Sequence, residues 1–226
     1  MRIAIVVPAY NEEEGICATI DRLSRVSTRL KDKNQIVIVN DGSTDRTVEL
    51  VKKKRVRLID YKKNSGKGAA LKKAIKKINA GIIVTTDADC TYEVEKIPEM
   101  IKILKKDNCD IVVGSRFTGE IRGGMTELVW SGNKIFSLMV RMLTGVNTTD
   151  ASSGLRVFRK KAVQDLGIKA TGLDYEVEMT TRANKKGLKI VEVPIVYEKR
   201  AGKSKLKPIT DGWRFFKAII RSYLET

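Results

Sequence analysis

Gly81-Ile82-Ile83-Val84-Thr85-Thr86-Asp87-Ala88-Asp89 is the stretch that decides the fold of this chain. A short apolar run bounded by glycine and by polar residues reads as a strand covered on both faces. Asp87 and Asp89 stand where that strand ends. Period two puts their side chains on the same side of the chain, in the space beyond the sheet edge. Two carboxylates held close together repel, and each raises the cost of ionising the other. A divalent hard cation relieves the repulsion, and such ions combine carboxylates with phosphate oxygens. The same residues also suit an Asx turn followed by a helix cap. The motif alone does not choose between these readings; the rest of the chain does.

Outward from this strand, strand and helix alternate. Strands are expected at 3–7, 35–39, 56–59, 82–86 and 110–113, and helices at 12–30, 46–53, 67–78 and 95–105. Pro8 is expected to end the first strand and Asn11 to cap the helix after it, with three glutamates in the first helical turn. Such alternation implies right-handed strand–helix–strand units and an α/β fold with a mostly parallel central sheet flanked by helices. Ligands of such sheets sit beyond the carboxyl ends of the strands. Three polar turns fall there, at 8–11, 40–44 and 87–92. After Gly114 the pattern loosens into an amphipathic helix at 128–144, a strand at 155–158, a helix at 174–186 and a strand at 188–194 ending at Pro194. A basic, glycine-bearing loop at 197–207 and a final helix at 210–224 complete the chain. Residues 1–208 read as one domain, and 209–226 as a C-terminal amphipathic segment.

The 226 residues suffice for one α/β domain with a sizeable core. No run of about 18 apolar residues exists, and a first strand starting near Arg2 leaves no room for a signal peptide. Cys17, Cys90 and Cys109 have no metal-ligand spacing and read as reduced residues of a cytosolic protein. With no histidine in the chain, a Cys/His metal site is excluded. Net charge is +17, from 44 basic and 27 acidic residues, which favours an anionic partner. Many lysines, such as Lys72, Lys73, Lys76 and Lys77, flank apolar helical positions and read as a solvated face. Few aromatics and no recognition motif argue against nucleic acid.

The individual turns are weak signals. Pro8-Ala9-Tyr10-Asn11-Glu12 suits a helix start or a pocket wall. Asn40-Asp41-Gly42-Ser43-Thr44-Asp45 suits a turn with a cap, although Asp41 could also accept from a ring N–H or a ribose hydroxyl. Asn64-Ser65-Gly66-Lys67-Gly68 lacks the upstream glycine of a Walker A loop and has Gly68 where Ser or Thr should follow the lysine. A glycine turn opening a helix can still aim N–H groups at a phosphate. Taken in order with Asp87-Ala88-Asp89, Gly114-Ser115-Arg116-Phe117, Asp150-Ala151-Ser152-Ser153-Gly154-Leu155-Arg156, Tyr175-Glu176-Val177-Glu178 and Arg200-Ala201-Gly202-Lys203-Ser204-Lys205-Leu206, they are specific. The series resembles the family 2 glycosyltransferases of GT-A fold, and within them the dolichyl- or polyprenyl-phosphate sugar synthases. The resemblance runs from Val7 to about Lys207.

That resemblance implies roles for the matching residues. Pro8, Tyr10 and Glu12 would line the donor nucleotide site, with Asp41 near the base and Lys67 beside the nucleotide. Asp87 and Asp89 would bind Mg²⁺ or Mn²⁺ on the donor pyrophosphate. Arg116, Arg200, Lys203 and Lys205 would face phosphates of donor or acceptor, and Glu176 would lie near the sugar. It also implies a nucleotide-sugar donor (GDP-mannose, UDP-glucose or UDP-N-acetylglucosamine), a dolichyl or polyprenyl phosphate acceptor, and a place at the cytoplasmic face of a membrane. A separate membrane subunit is left open. Two departures separate the chain from the mannose-transferring members. Thr91 stands where they often carry a glutamine ligand, and neither Arg122 nor Lys134 aligns with their additional arginine.

A phosphate acceptor also accounts for the missing histidine. It is already anionic near neutral pH and needs charge compensation rather than a base. Direct displacement would invert the anomeric centre. The competing readings are transfer to a hydroxyl of a soluble glycan or glycolipid, a nucleotidyltransferase, and a non-catalytic nucleotide-sugar or membrane-binding module. The final helix, with Trp213, Phe216, Ile220 and Leu224 on one side and Arg214, Lys217 and Arg221 around it, suits a membrane interface. The segment at 128–143 is a second candidate.

Overall fold

In a computed structural model, residues 1–106, 108–123 and 125–225 are described. Thr226, the end of the expected C-terminal segment, lies outside them. The first half follows the expected alternation: β1 (Ile3–Ala9), α1 (Ile16–Arg29), β2 (Asn34–Asp41), α2 (Thr47–Lys52), β3 (Arg57–Tyr61), α3 (Lys67–Lys77) and β4 (Ile82–Thr85). A 3-10 turn at Val94–Lys96 leads into α4 (Ile97–Lys106). The second half consists of β5 (Ile111–Ile121), α5 (Glu127–Thr144), β6 (Arg156–Arg159), α6 (Lys160–Gln164), α7 (Tyr175–Lys185), β7 (Ile190–Tyr197) and α8 (Pro208–Glu225).

Seven strands among the described residues form one sheet in the order β3-β2-β1-β4-β6-β5-β7. β1 pairs in parallel with β2 on one side and with β4 on the other. β6 runs antiparallel to both its neighbours, β4 and β5, and β7 closes the edge in parallel with β5. All four side chains of β4 are buried, as a strand covered on both faces requires. Period two divides the core between the two helix layers. Ile3, Ile5 and Val7 face the side of Ile20 and Leu23 in α1 and Met100 and Leu104 in α4. Ala4 and Val6 face the side of Leu71 and Ile75 in α3 and Met179 in α7. A smaller cluster joins Val140 of α5, Val177 of α7 and Phe215 and Ile219 of α8.

The structure corrects four local expectations. Pro8 lies inside β1, paired with Val39, and does not end it. The β4 ladder stops at Val6, so no strand on that side needs an N–H from Pro8. Pro194 likewise lies inside β7, an edge strand, beside the irregularity between Ser115 and Glu120. Asn11 is not a helix cap: its φ is 52°, and α1 begins only at Ile16. The N–H groups of Asn11, Glu12 and Glu13 turn sideways to Ser43 Oγ, Thr47 Oγ1 and Asp45 Oδ2, so the glutamates lie in a loop rather than a first helical turn.

Phe158 on β6 is fully buried. Phe158→Ala is expected to cost about 3–5 kcal/mol, read as a lower urea midpoint with an unchanged slope.

Candidate functional site

The chain leaves β1 toward β2 and β3 on one side and returns through β4 on the other. The loops after β1 and β4 therefore diverge and leave a crevice at a topological switch point. The loop after β2 is laced to that after β1, where the Thr44 N–H donates to Asn11 Oδ1 at 2.7 Å. Asp41, buried at the end of β2, holds the third loop. It accepts from the Ser65 N–H and hydroxyl, both at 3.0 Å, and from the Gly66 N–H at 2.8 Å. Gly66 has φ 94°, and a Cβ there would come within 2.3 Å of the Thr171 carbonyl oxygen, so glycine is required.

Asp87 and Asp89 emerge into this crevice. Lys67, from the first turn of α3, sits between Asp87 Oδ1 at 2.7 Å and Glu176 Oε1 of α7 at 2.9 Å. Burial opposes the charge of Lys67, but Asp87 and Glu176 outweigh it and hold the ammonium firmly protonated. Asp89 is 2% exposed. Its Oδ1 accepts from the Thr91 N–H at 3.1 Å and the Thr91 hydroxyl at 2.6 Å, and its Oδ2 from Arg200 Nη1 at 2.5 Å. Burial, then the charge of Asp87, raise the Asp89 carboxyl above the usual carboxylate range against the pull of Arg200. Arg200 Nη2 and Lys205 Nζ both reach Glu12 Oε1 at 2.6 Å. Glu12 is also raised, first by burial.

A divalent cation fits this donor set. Two adjacent carboxylates, one raised by burial and then by its neighbour's charge, are what a hard cation stabilises. No group of three or more His, Cys, Asp or Glu among the described residues could hold one unaided, so phosphate oxygens and water would complete the shell.

A second layer of buried charge supports the first. Arg116 lies under the crevice with its guanidinium bidentate on Asp150, both contacts at 2.7 Å, and donates to Ser152 Oγ at 2.9 Å. This expected phosphate contact is 6% exposed and already paired. Arg156, fully buried, donates to the Ser153 and Ala151 carbonyls, both at 2.7 Å, and to Thr180 Oγ1 at 2.9 Å. The turn so held brings Gly154 against the acids: its N–H donates to Tyr92 Oη at 2.7 Å, and a Cβ on it would stand 3.2 Å from both Asp87 oxygens.

The basic loop leads from the crevice to an apolar face. Arg200 lies at Asp89, whereas Leu206, Pro208 and Ile209 help line a groove of about 240 Å³ between α5 and α8, with Leu128, Phe136 and Phe215. Elsewhere on α5 and α8, Trp130, Ile135, Leu138, Met142, Trp213 and Leu224 are exposed. Trp213 and Phe216 stack with centroids 5.3 Å apart. No helix among the described residues is long and apolar enough to cross a membrane. A larger concavity, about 390 Å³, lies at the other end of the sheet beside Met1, Gly81 and Lys160, away from every motif.

The crevice thus gathers Glu12, Lys67, Asp87, Asp89, Glu176, Arg200 and Lys205. Pro8 and Tyr10 are half-buried at its rim, at the end of β1, and Lys203 is exposed on the loop. Asp41 is turned toward Ser65 and Gly66. Thr91 donates to Asp89 rather than standing free as a ligand. Tyr92, Asp150, Arg156 and Gly154 were not singled out from sequence as site residues; the last three lie within a motif, but nothing local shows what they touch.

This architecture is that of the GT-A glycosyltransferases, and the chain belongs to glycosyl transferase family 2, whose family model matches residues 4–167. Among its relatives, the dolichyl-phosphate hexose transferase of Haloferax volcanii is 33% identical over 224 residues, covering 99% of this chain and 94% of that one. A low-salt glycan biosynthesis hexosyltransferase of the same organism is 31% identical over 220 residues, covering 96% of this chain, which spans only 53% of that relative's length. Among solved structures, glucosyl-3-phosphoglycerate synthase of Mycobacterium tuberculosis, in complex with Mn²⁺, UDP and phosphoglyceric acid, superposes with a TM-score of 0.75 at 19% identity, covering 99% of this chain and 77% of that one.

The buried pair of Arg116 and Asp150 sets an acid limit. Burial opposes ionisation of Asp150, but Arg116 outweighs it and holds the carboxyl low. A lowered carboxyl contributes stability above its unfolded pKa, near 4, and loses it as pH falls through the folded value. Thermal midpoints should therefore hold from neutral pH down to about pH 4 and drop below it. Asp150→Asn should cost about 3–5 kcal/mol at neutral pH and flatten the acid drop.

Proposed function

We propose that this chain transfers a hexose from a nucleotide-sugar to a polyprenyl phosphate at a membrane surface. One observation carries the reading: a single basic segment joins the paired carboxylates, at Arg200, to the apolar α5–α8 groove, at Leu206, Pro208 and Ile209. A lipid phosphate has those two ends, an anionic head and an apolar chain. The name of the dolichyl-phosphate hexose transferase of Haloferax volcanii supports the acceptor class.

In this reading a phosphate oxygen of the acceptor attacks the anomeric carbon. The bond from that carbon to the donor's diphosphate oxygen breaks, and the nucleoside diphosphate leaves. The acceptor is already ionised, so the chain needs cations rather than a base. Arg200, Lys203 and Lys205 supply them. Asp87 and Asp89 would hold Mg²⁺ or Mn²⁺, whose charge stabilises the leaving diphosphate when bound. Glu176, oriented by Lys67, lies on the sugar side, and Pro8, Tyr10 and Glu12 line the nucleotide side. Arg116 takes a supporting place here, because Asp150 already occupies its guanidinium.

The α5–α8 face would rest on the lipid surface, with Trp130 and Trp213 at the interface and Arg141, Arg214 and Lys217 toward head groups. Deleting 209–226 would also remove the buried Phe215, Ala218 and Ile219, so point changes give a cleaner test. Trp213→Glu with Met142→Glu should abolish co-sedimentation with anionic liposomes; unchanged binding would count against the membrane-facing assignment.

The function is tested by incubating the protein with dolichyl phosphate, Mg²⁺ and a panel of nucleotide sugars, and weighing the lipid product. A dolichyl-phosphate hexose with inverted anomeric configuration is expected, and Asp89→Ala should abolish it without unfolding the chain. Transfer only to soluble hydroxyl acceptors would replace this reading with its competitor.

A further inference from the structure

We propose that Arg200 is a latch: its guanidinium occupies Asp89 in place of a divalent cation, so cation binding and withdrawal of Arg200 are two sides of one equilibrium. This rests on reading Asp87 and Asp89 as the cation site. Asp89 has no idle oxygen, since Thr91 holds Oδ1 and Arg200 holds Oδ2. A hard cation bound to a carboxylate sits at about 2.0–2.6 Å from its oxygens. A guanidinium nitrogen 2.5 Å from Oδ2 takes one of that oxygen's two lone-pair directions and repels the incoming charge.

The contacts of Arg200 suit a charge that stands in and then leaves. Nη1 is on Asp89, from the loop after β4, and Nη2 is on Glu12, from the loop after β1. One guanidinium thus bridges the two sides of the crevice. Its Nε is buried with no hydrogen-bond partner among the described residues, so the side chain is incompletely satisfied where it lies. The backbone on either side of Arg200 is tied independently: the Glu198 N–H donates to the Thr91 carbonyl at 2.8 Å, and the Ala201 N–H to the Asp89 carbonyl at 2.9 Å. Gly202 follows with φ 80°. Arg200 can therefore swing without unseating the segment.

Two consequences follow. The latched form holds the crevice together before the donor arrives, by bridging Glu12 and Asp89 with one guanidinium. Donor and metal must then bind first, because only their arrival frees Arg200 to meet the acceptor phosphate. Coupling of this kind is reciprocal: the cation weakens the hold of Arg200 on Asp89 by the same factor by which that hold weakens cation binding.

The test is a titration of the full chain with Mn²⁺ alone, following loss of the free-ion electron paramagnetic resonance signal. Arg200→Gln is expected to bind Mn²⁺ roughly 10-fold more tightly than wild type. Lys199→Gln removes a neighbouring exposed charge and should leave the affinity unchanged, separating the latch from the general field. Equal or weaker affinity in Arg200→Gln, or equal tightening in Lys199→Gln, would overturn the latch. Asp89→Asn tests the underlying site separately: loss of Mn²⁺ binding upholds it, whereas retained binding means that the cation site itself is misassigned.

Discussion

Asp87 and Asp89 leave the end of β4 side by side, one half-buried and the other almost fully so, and the surrounding elements balance their charge. Lys67 comes from α3, Thr91 from the same loop, and Arg200 from a segment 111 residues further along the chain. Each of these would be poorly placed without the acids. Lys67 would keep only Glu176, and Arg200 only Glu12, as an ionic partner. The carboxylates in turn could not both ionise there without the cations. The sheet's switch point supplies the space, and electrostatics determines what fills it.

The same logic governs the layer beneath. A buried ion pair contributes little net stability over an apolar pair of equal volume, but breaking one is expensive. Arg116 with Asp150, and Arg156 on two carbonyls, therefore act mainly through geometry. They hold the 150–154 turn so that Gly154 packs on Asp87 and its N–H meets Tyr92. Ser152 and Ala151 continue this network to Asn133 and Ser137 on the inner face of α5. The opposite face of α5 carries exposed Ile135, Leu138 and Met142. One helix thus joins the crevice's supports to the apolar surface.

The alternation of strands and helices was legible because each element writes its own period: β1 and β2 are short apolar runs, and α1 repeats Ile16, Ile20 and Leu23 on one face. The errors fell where a neighbour decided the outcome. Pro8 and Pro194 are compatible with strands because of what lies, or does not lie, beside them. Asn11 lost its capping role because Ser43, Thr47 and Asp45 from another loop took the local N–H groups. The antiparallel direction of β6, a run of four residues, is written nowhere in those residues. It is nevertheless β6 that sets Gly154 near Asp87.

The sequence by itself determined the alternating α/β plan, the pairing of Asp87 with Asp89, the basic loop and the order of motifs that marks the family. These depend on spacings of a few residues, where the chain's own geometry dictates which side chains are neighbours. Only the tertiary structure decided that Arg116 is committed to Asp150, that Asp41 braces Ser65 and Gly66, and that Arg200 lies on Asp89. Those are contacts between segments 24 to 111 residues apart. A charged side chain carries no record of which distant opposite charge it will meet; packing of the sheet and its loops makes that choice.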